Sequence, residues 1–267
     1  MWKTTYREIR QSFGRYAAIL AIVALGVGFF VGLMVVTPAM VRNGGRYLNN
    51  HDLYDLRLLS TLGFEKDSVD AFTGREDVKA VEGAVSSDFL AVDESRKSRV
   101  LVAQTRLEVQ KQLELKAGRQ PEAADELVMD SSLFSKDDIG KTIQVADENP
   151  EETADLFAYD VYTIVGIADA SYYINYQRGS TTLGTGRVSG FVYMLPDGFD
   201  TNYYTEIFVR LDQNDRIYSD VYKKKIEDLK TWAEPIAEQE AQNRYDSLKA
   251  DAQQKVDDAQ KELRDQT

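Results

Sequence analysis

The sequence predicts an α+β protein with one N-terminal membrane helix, a mixed core domain and a long C-terminal helix. Three observations support this prediction. An uncharged apolar run lies near the N-terminus, short apolar segments separated by turn-forming residues fill the middle, and Lys, Glu, Asp, Gln and Ala dominate the end. With 43% hydrophobic residues among 267, the chain has enough apolar material for a packed core.

The apolar run covers residues 16–36 and contains no charged side chain. About 20 helical residues at about 1.5 Å each cross a hydrocarbon core of about 30 Å, so the run predicts a transmembrane helix. The competing interpretation is a cleavable signal peptide, whose apolar region is shorter and ends in a small-x-small cleavage site. Residues 37–40 fit such a site poorly. We expect the helix to extend to about residue 43.

The ends of this span differ in charge. Four basic residues precede it and two follow it: Lys3, Arg7, Arg10 and Arg15, then Arg42 and Arg46. The positive-inside bias therefore predicts a cell-membrane protein with a cytoplasmic N-terminus and an extracellular main domain. A break in the helix is expected around Gly44, Gly45 and Asn49.

Two faces of this N-terminal region are candidates for contact. Within residues 1–15, apolar side chains recur at spacings of 4, 3 and 4, at Trp2, Tyr6, Ile9 and Phe13. This pattern predicts an amphipathic interfacial helix that either anchors the chain to membrane lipid or receives force from a cytoplasmic partner. Inside the span, small residues that would let another helix approach closely lie at Ala24, Gly28 and Gly32.

The middle region, residues 54–218, predicts an α+β domain outside the cytoplasm. Its strand candidates are residues 55–59, 78–91, 99–104, 142–145, 159–167, 190–194 and 205–211. A short helix is expected over residues 65–72, and residues 126–134 are ambiguous. Strands mixed with few, short helices favour α+β over a doubly wound sheet.

Composition and motifs exclude several function classes. A net charge of −12 argues against nucleic-acid binding, and the absence of cysteine excludes thiolate chemistry. Gly140, Lys141 and Thr142 spell GKT, but a phosphate-binding loop needs glycine at the position of Ser135. We therefore predict no enzyme activity and assign no catalytic, cofactor-binding or metal-binding residue.

A cluster of tyrosines is the candidate for extracellular recognition. It comprises Tyr172, Tyr173 and Tyr176. Tyrosine is equally suited to packing over a sheet, so both interpretations stay open.

Residues 219–267 predict a coiled-coil arm. Apolar residues form one helical stripe at Ala241, Tyr245, Leu248, Ala252, Val256, Ala259 and Leu263. Pro235 should kink this helix or begin a second one. Because one stripe without a partner is poorly buried, we expect the arm to be truncated before its return helix.

The order of these features resembles the FtsX-like, or MacB-type, permease subunits of ABC transporters, particularly large Gram-positive members with extracellular coiled coils. The resemblance covers essentially the whole chain. It rests on RQSFGRYAAILAIVALGVGFFVGL at the membrane helix, YDLRLLSTLGF from Tyr54, AGRQPEAADELVMD from Ala117, IGKTIQV from Ile139, YTIVGIADASYYINYQRGSTTLGTG from Tyr162, FVYM from Phe191 and YTEIFV from Tyr204.

The resemblance implies a permease subunit, or its N-terminal portion, that works with a separate cytoplasmic ABC-type ATPase. Family members have further membrane helices after the extracellular region, so partners would include other permease helices or a second permease subunit. The implied cargo is a lipid, a peptide or a lipoprotein, or else the motion regulates a cell-wall hydrolase. The alternative function is a single-pass scaffold that binds an extracellular protein through its domain and coiled coil.

Overall fold

The computed structural model describes residues 12–108, 113–213 and 215–265. In chain order, its helices are α1 (Phe13–Asn50), α2 (Ser68–Ala71), α3 (Glu151–Ala154) and α4 (Asp220–Asp265). Its strands are β1 (Leu56–Glu65), β2 (Val78–Ala84), β3 (Ser86–Asp93), β4 (Ser98–Thr105), β5 (Leu113–Gly118), β6 (Glu126–Asp130), β7 (Thr142–Val145), β8 (Val161–Ala170), β9 (Gly190–Met194) and β10 (Tyr203–Leu211). The predicted α+β class, with a long helix at each end, is confirmed.

Helix α1 is long and apolar enough to cross a membrane. It runs on past Gly44 and Gly45 to Asn50, so the predicted break around Gly44, Gly45 and Asn49 is wrong. The physical reason is packing: Gly45 is buried against Ile217, and this contact supports the last turns of the helix. Of the predicted amphipathic face, Phe13 begins α1, whereas Trp2, Tyr6 and Ile9 lie outside the described residues.

A three-stranded antiparallel sheet, here called the small sheet, follows α1 directly. Strand β10 lies at its centre, with β1 and β2 on either side. Helix α4 packs along β1 and supplies Leu229 and Ala233 to the core of the small sheet. The other fully buried members of that core are Phe64, Phe72, Ile207, Val209 and Leu211.

The second sheet closes on itself and is here called the barrel. Its strands follow the order β7, β3, β4, β9, β6, β8, and β8 pairs back with β7. Strand β5 pairs with the C-terminal half of β8. Side chains alternate across each strand, so Leu101 and Ala103 point into the barrel core while Val102 points to its outer face. The small sheet and the barrel together form the body.

Most strand predictions are confirmed, but three needed the tertiary structure. The candidate over residues 78–91 is two strands, because β2 joins the small sheet and β3 joins the barrel. The ambiguous residues 126–134 begin with strand β6. Strand β5 was not predicted, since its alternating residues are only partly buried.

Helix α4 differs from the predicted unpartnered arm. It is continuous through Pro235, so the expected start of a second helix there is wrong, whereas the expected kink stays a prediction. Pro235 lies on the exposed face of α4, where water can solvate the carbonyl group that its ring leaves without a donor. The first half of α4 is part of the body, up to Arg244, whose Nε donates to the Leu62 carbonyl oxygen at 3.2 Å. Beyond Leu248 the described side chains are exposed.

Candidate coupling site at the base of the body

The C-terminal end of α1 contacts two parts of the body, the segment that precedes α4 and the barrel. A Cβ atom placed on Gly45 would lie 3.2 Å from Cγ1 of Ile217, which precedes α4 and is buried. Two residues further along α1, the Tyr47 hydroxyl donates to the Ser171 carbonyl oxygen at 3.5 Å. Ser171 directly follows β8 of the barrel. The membrane helix therefore contacts both the start of α4 and the end of a barrel strand.

Asp55 ties the linker after α1 to β10 and α4. Its carboxylate accepts hydrogen bonds from the Leu211 amide at 2.9 Å and the Tyr222 hydroxyl at 3.0 Å. Burial and the Asp55 carboxylate raise the pKa of Tyr222, so this hydroxyl remains a proton donor at neutral pH. On the other side of the linker, Asp52 forms an ion pair with Arg210 at 2.5 Å. The linker is thus fixed to the small sheet on two sides.

Arg57 bridges the small sheet and the barrel. Its Nε and Nη2 atoms donate to the two carboxylate oxygens of Glu206 at 2.8 and 2.5 Å. Its Nη1 atom donates to the Tyr172 hydroxyl at 3.0 Å, and the guanidinium carbon lies 5.7 Å from the Tyr172 ring centroid. The Glu206 side chain is 3% exposed, so its charge is compensated almost entirely by Arg57.

A second buried ion pair holds the loop that carries Tyr172. Arg178 donates to both carboxylate oxygens of Asp130, at 2.6 and 3.0 Å. Its Nη1 atom also donates to the carbonyl oxygens of Tyr173 and Asn175. The Tyr173 ring stacks on Phe191, with centroids 5.0 Å apart and planes 4° from parallel. The start of the loop over residues 171–189 is therefore fixed against the outer face of the barrel.

These contacts hold parts of the molecule in place and provide no reactive constellation. In the described part of the chain, no group of three or more His, Asp or Glu side chains is arranged to hold a metal ion. A cavity of about 240 Å³ lies beside Arg57 and Tyr173, and burial raises the pKa of Asp88 in its wall. The arrangement is suited to keeping α1, the small sheet and the barrel in fixed relative positions.

Comparison with known families identifies the region that contains this site. The profile of the MacB-like periplasmic core domain matches residues 17–220, from α1 to the start of α4. This chain belongs to the MacB-like periplasmic core domain family. The predicted resemblance to MacB-type ABC transporter permeases is therefore confirmed. A search of curated protein sequences gave no match.

Three solved structures are similar to part of this MacB-like chain. The extracellular domain of the noncanonic ABC-type transporter YknZ from Gram-positive bacteria is 13% identical, with a TM-score of 0.37, over 63% of this chain and 85% of that one. The periplasmic region of MacB from Actinobacillus actinomycetemcomitans is 16% identical, with a TM-score of 0.37, over 65% and 75%. A domain of a permease protein from Porphyromonas gingivalis is 12% identical, with a TM-score of 0.36, over 63% and 77%.

The tyrosines proposed for recognition differ in exposure in the MacB-like body. Tyr172 and Tyr173 are partly buried in the contacts between the small sheet, the loop and the barrel. Tyr176 is 87% exposed. A recognition role for these residues stays a prediction, and Tyr176 is the member that a partner could reach most fully.

The small residues of the membrane helix lie on one face of α1. Ala24, Gly28 and Gly32 are spaced by four residues, and a Cβ atom on either glycine would meet no other element of the described chain. Packing against other membrane helices stays a prediction.

Sequence reasoning missed the ion pairs that organise the base. Arg57, Glu206 and Asp130 each lie within or at the end of a strongly apolar strand segment, in LRLL, TEIFV and ELVMD. A single charge in such a segment is itself a signal, because buried charges require partners. The identity of the partner was not visible, since Arg57 and Glu206 are 149 residues apart.

Proposed function

We propose that this chain is the permease portion that couples a separate cytoplasmic ATPase to motion of the body outside the cytoplasm. The observation that carries the proposal is the continuity of α1 from the apolar span to its contacts with Ile217 and Ser171. A helix of 38 residues is about 57 Å long, so a tilt of about 10° would displace its far end by about 10 Å. Motion at the cytoplasmic end would then reach the body directly.

The part of the body that would move together with α1 is the small sheet with α4. Asp55 joins the end of α1 to β10 and α4, and the core around Leu229 and Ala233 holds α4 on the sheet. Because Arg57 of the small sheet donates a hydrogen bond to Tyr172 beside the barrel, displacement of the small sheet would also move the barrel. The cargo would be a lipid, a peptide or a lipoprotein, or the motion would act on an extracellular enzyme.

The proposed orientation places residues 1–15 in the cytoplasm. Because the chain has no cysteine, single-cysteine variants can be labelled in intact cells without background. An impermeant maleimide should label Ser95→Cys and Ser180→Cys, and Thr4→Cys should react only after the cells are opened. Labelling of Thr4→Cys alone in intact cells would reverse the orientation.

The ATPase would contact the apolar face at Trp2, Tyr6, Ile9 and Phe13. In the complete permease with its ATPase, we expect Ile9→Asp/Phe13→Asp to lower the extracellular effect obtained per ATP hydrolysed. The matched control is Thr4→Asp/Gln11→Asp, which adds the same two charges to the opposite side of a helix with this spacing. If the two double variants behave alike, this face is only a lipid anchor.

A further inference from the structure

Exposed apolar side chains are concentrated near the end of the membrane helix. Among the described residues outside α1, five large apolar or aromatic residues are more than half exposed. Four of them are Tyr176 at 87%, Ile174 at 71%, Tyr218 at 68% and Val221 at 58%. We call these four residues the collar.

Both collar segments begin at residues that contact α1. Ile174 and Tyr176 follow Ser171, whose carbonyl oxygen accepts from Tyr47. Tyr218 and Val221 follow Ile217, which lies against Gly45. The collar is therefore anchored to the same two turns of α1 from two different parts of the body.

The charge pattern of α1 places these turns close to the lipid headgroups. Between Arg15 and Arg42 the helix carries no charged residue. This uncharged stretch is about 39 Å long, which exceeds a hydrocarbon core of about 30 Å and approaches a full bilayer thickness of about 40–45 Å. Arg42 thus falls in the headgroup region. Gly45 and Tyr47 lie about 5–8 Å beyond it along the helix axis.

The collar segments are basic although the whole chain is acidic. Residues 171–189 contain Arg178 and Arg187 and no Asp or Glu. Residues 216–225 contain one acid, Asp220, and four basic residues, Arg216, Lys223, Lys224 and Lys225. Arg178 is paired with buried Asp130, and Lys225 is paired with Asp215. The basic residues left to complement anionic lipid headgroups are Arg187, Arg216, Lys223 and Lys224.

The backbone that carries Ile174 and Tyr176 is held in place rather than free. The Nη1 atom of Arg178 donates to the carbonyl oxygens of Tyr173 and Asn175, on either side of Ile174, while its other nitrogens are bound to buried Asp130. The backbone at Ile174 and Tyr176 is therefore already ordered, so these exposed side chains would lose little backbone entropy on contact with a membrane. Tyrosine is the type of side chain that membrane interfaces favour, since its ring is apolar and its hydroxyl is polar.

We propose that the collar is a membrane-contact surface that lies in the headgroup region of the leaflet at the C-terminal end of α1. The ligand is the lipid surface itself, with anionic headgroups preferred. The body would then rest on the membrane at two points beside α1 instead of being supported by that helix alone. This inference does not depend on a cytoplasmic ATPase.

The test uses single-cysteine variants of the full chain, labelled with the environment-sensitive dye NBD and reconstituted into vesicles of phosphatidylethanolamine and phosphatidylglycerol. Dye on Ile174→Cys, Tyr176→Cys, Tyr218→Cys or Val221→Cys should show blue-shifted emission and lose fluorescence when lipids with a headgroup-proximal quencher are included. Tyr159→Cys is the matched control for Tyr176→Cys, because it lies near the opposite end of β8 and is also exposed. Val256→Cys, far along α4, is the second control.

Charge reversal separates lipid contact from burial against protein. Lys223→Glu/Lys224→Glu should reduce quenching at the collar in anionic vesicles and leave it unchanged in vesicles of phosphatidylcholine alone. Lys249→Glu/Lys255→Glu, the same change on the distal part of α4, should have no effect. The proposal is overturned if the collar dyes behave like those at Tyr159→Cys and Val256→Cys. It is also overturned if their emission follows the protein-to-lipid ratio instead of the quencher, because a second protein copy would then cover the collar.

Discussion

Replacing Arg57 by methionine should destabilise the body strongly. The substitution removes two hydrogen bonds to Glu206 and one to Tyr172, and it leaves the Glu206 carboxylate at 3% exposure without its cation. Breaking a buried pair on one side costs about 3–5 kcal/mol, whereas replacing both partners by apolar residues is often nearly neutral. We expect Arg57→Met to lower the free energy of unfolding by about 3 kcal/mol. Arg57→Met/Glu206→Met should recover most of that loss.

A milder substitution separates the contribution of the Arg57–Tyr172 hydrogen bond from that of the Arg57–Glu206 ion pair. Tyr172→Phe removes the acceptor on the barrel side and leaves the Arg57–Glu206 pair intact, so it should cost about 1 kcal/mol. A loss of about 3 kcal/mol in a body of this size corresponds to a decrease in melting temperature of about 6–12 °C. Arg57→Met should therefore be clearly separated from Tyr172→Phe by thermal melting alone.

Urea unfolding of the full chain in detergent measures these differences. The chain has two tryptophans, Trp2 and Trp232. In a Trp2→Phe background, Trp232 becomes the single reporter, and it packs edge-on to Phe72 in the core between α4 and the small sheet. The reasoning is refuted if Arg57→Met costs less than Tyr172→Phe, or if the double variant is no more stable than Arg57→Met.

Three further predictions concern stability. Burial opposes ionisation of Asp93, but hydrogen bonds from Ser95, the amide of residue 97 and Arg99 lower its pKa from 3.8 to about 2. Because the pKa of Asp93 is lowered in the folded state, its carboxylate stabilises the fold above pH 3.8, and this stabilisation is lost as the pH falls through 2. Asp93→Asn should therefore make the free energy of unfolding less dependent on pH over that window. An unchanged dependence on acid pH would contradict this. The Tyr193 hydroxyl is fully buried and has no hydrogen-bond partner within the part of the chain that the structure describes, so Tyr193→Phe should leave the melting temperature unchanged or raise it. A clear decrease would show that the hydroxyl has a partner. A peptide of residues 236–267 should show low helicity by circular dichroism at micromolar concentration, because it lacks the sheet that supports α4; strong, concentration-independent helicity would contradict this.

The parts of the fold that could be predicted from the sequence have local signals. The uncharged run of α1 indicates by its length and composition a helix that can cross a membrane, and the apolar segment FVYM of β9 indicates a buried strand. The division of residues 78–91 between two sheets has no such signal, since apolar residues continue through Ala84 and Val85 and the change of sheet depends on β10 and β4. Likewise, the packing of α4 on β1 could not be predicted from the sequence. The regular apolar stripe begins at Ala241, whereas the residues that are buried on the small sheet lie earlier in the helix, around Leu229, where the apolar spacing is less regular.

The base of the body was the least predictable part, because its contacts join distant segments. Gly45 was predicted to break a helix, since glycine is a poor helix former in isolation. Its actual environment is the contact with Ile217, 172 positions later in the chain, where even a Cβ atom would lie 3.2 Å from Cγ1 of Ile217. Local propensity was overridden there by a close tertiary approach.

The most direct test of the central claim is the response of the body to ATP in the complete permease with its ATPase, reconstituted in vesicles. The reporter is a dye on Val256→Cys, far along α4, recorded with ATP and with ADP. We predict a nucleotide-dependent change in emission, which is abolished when Gly-Gly-Ser is inserted after Arg42, between the apolar span and the residues of α1 that contact the body, although ATP hydrolysis continues. The same insertion after Ser95, in an exposed turn of the barrel, should preserve the change. An ATP-dependent signal that survives the insertion after Arg42 would contradict transmission through α1.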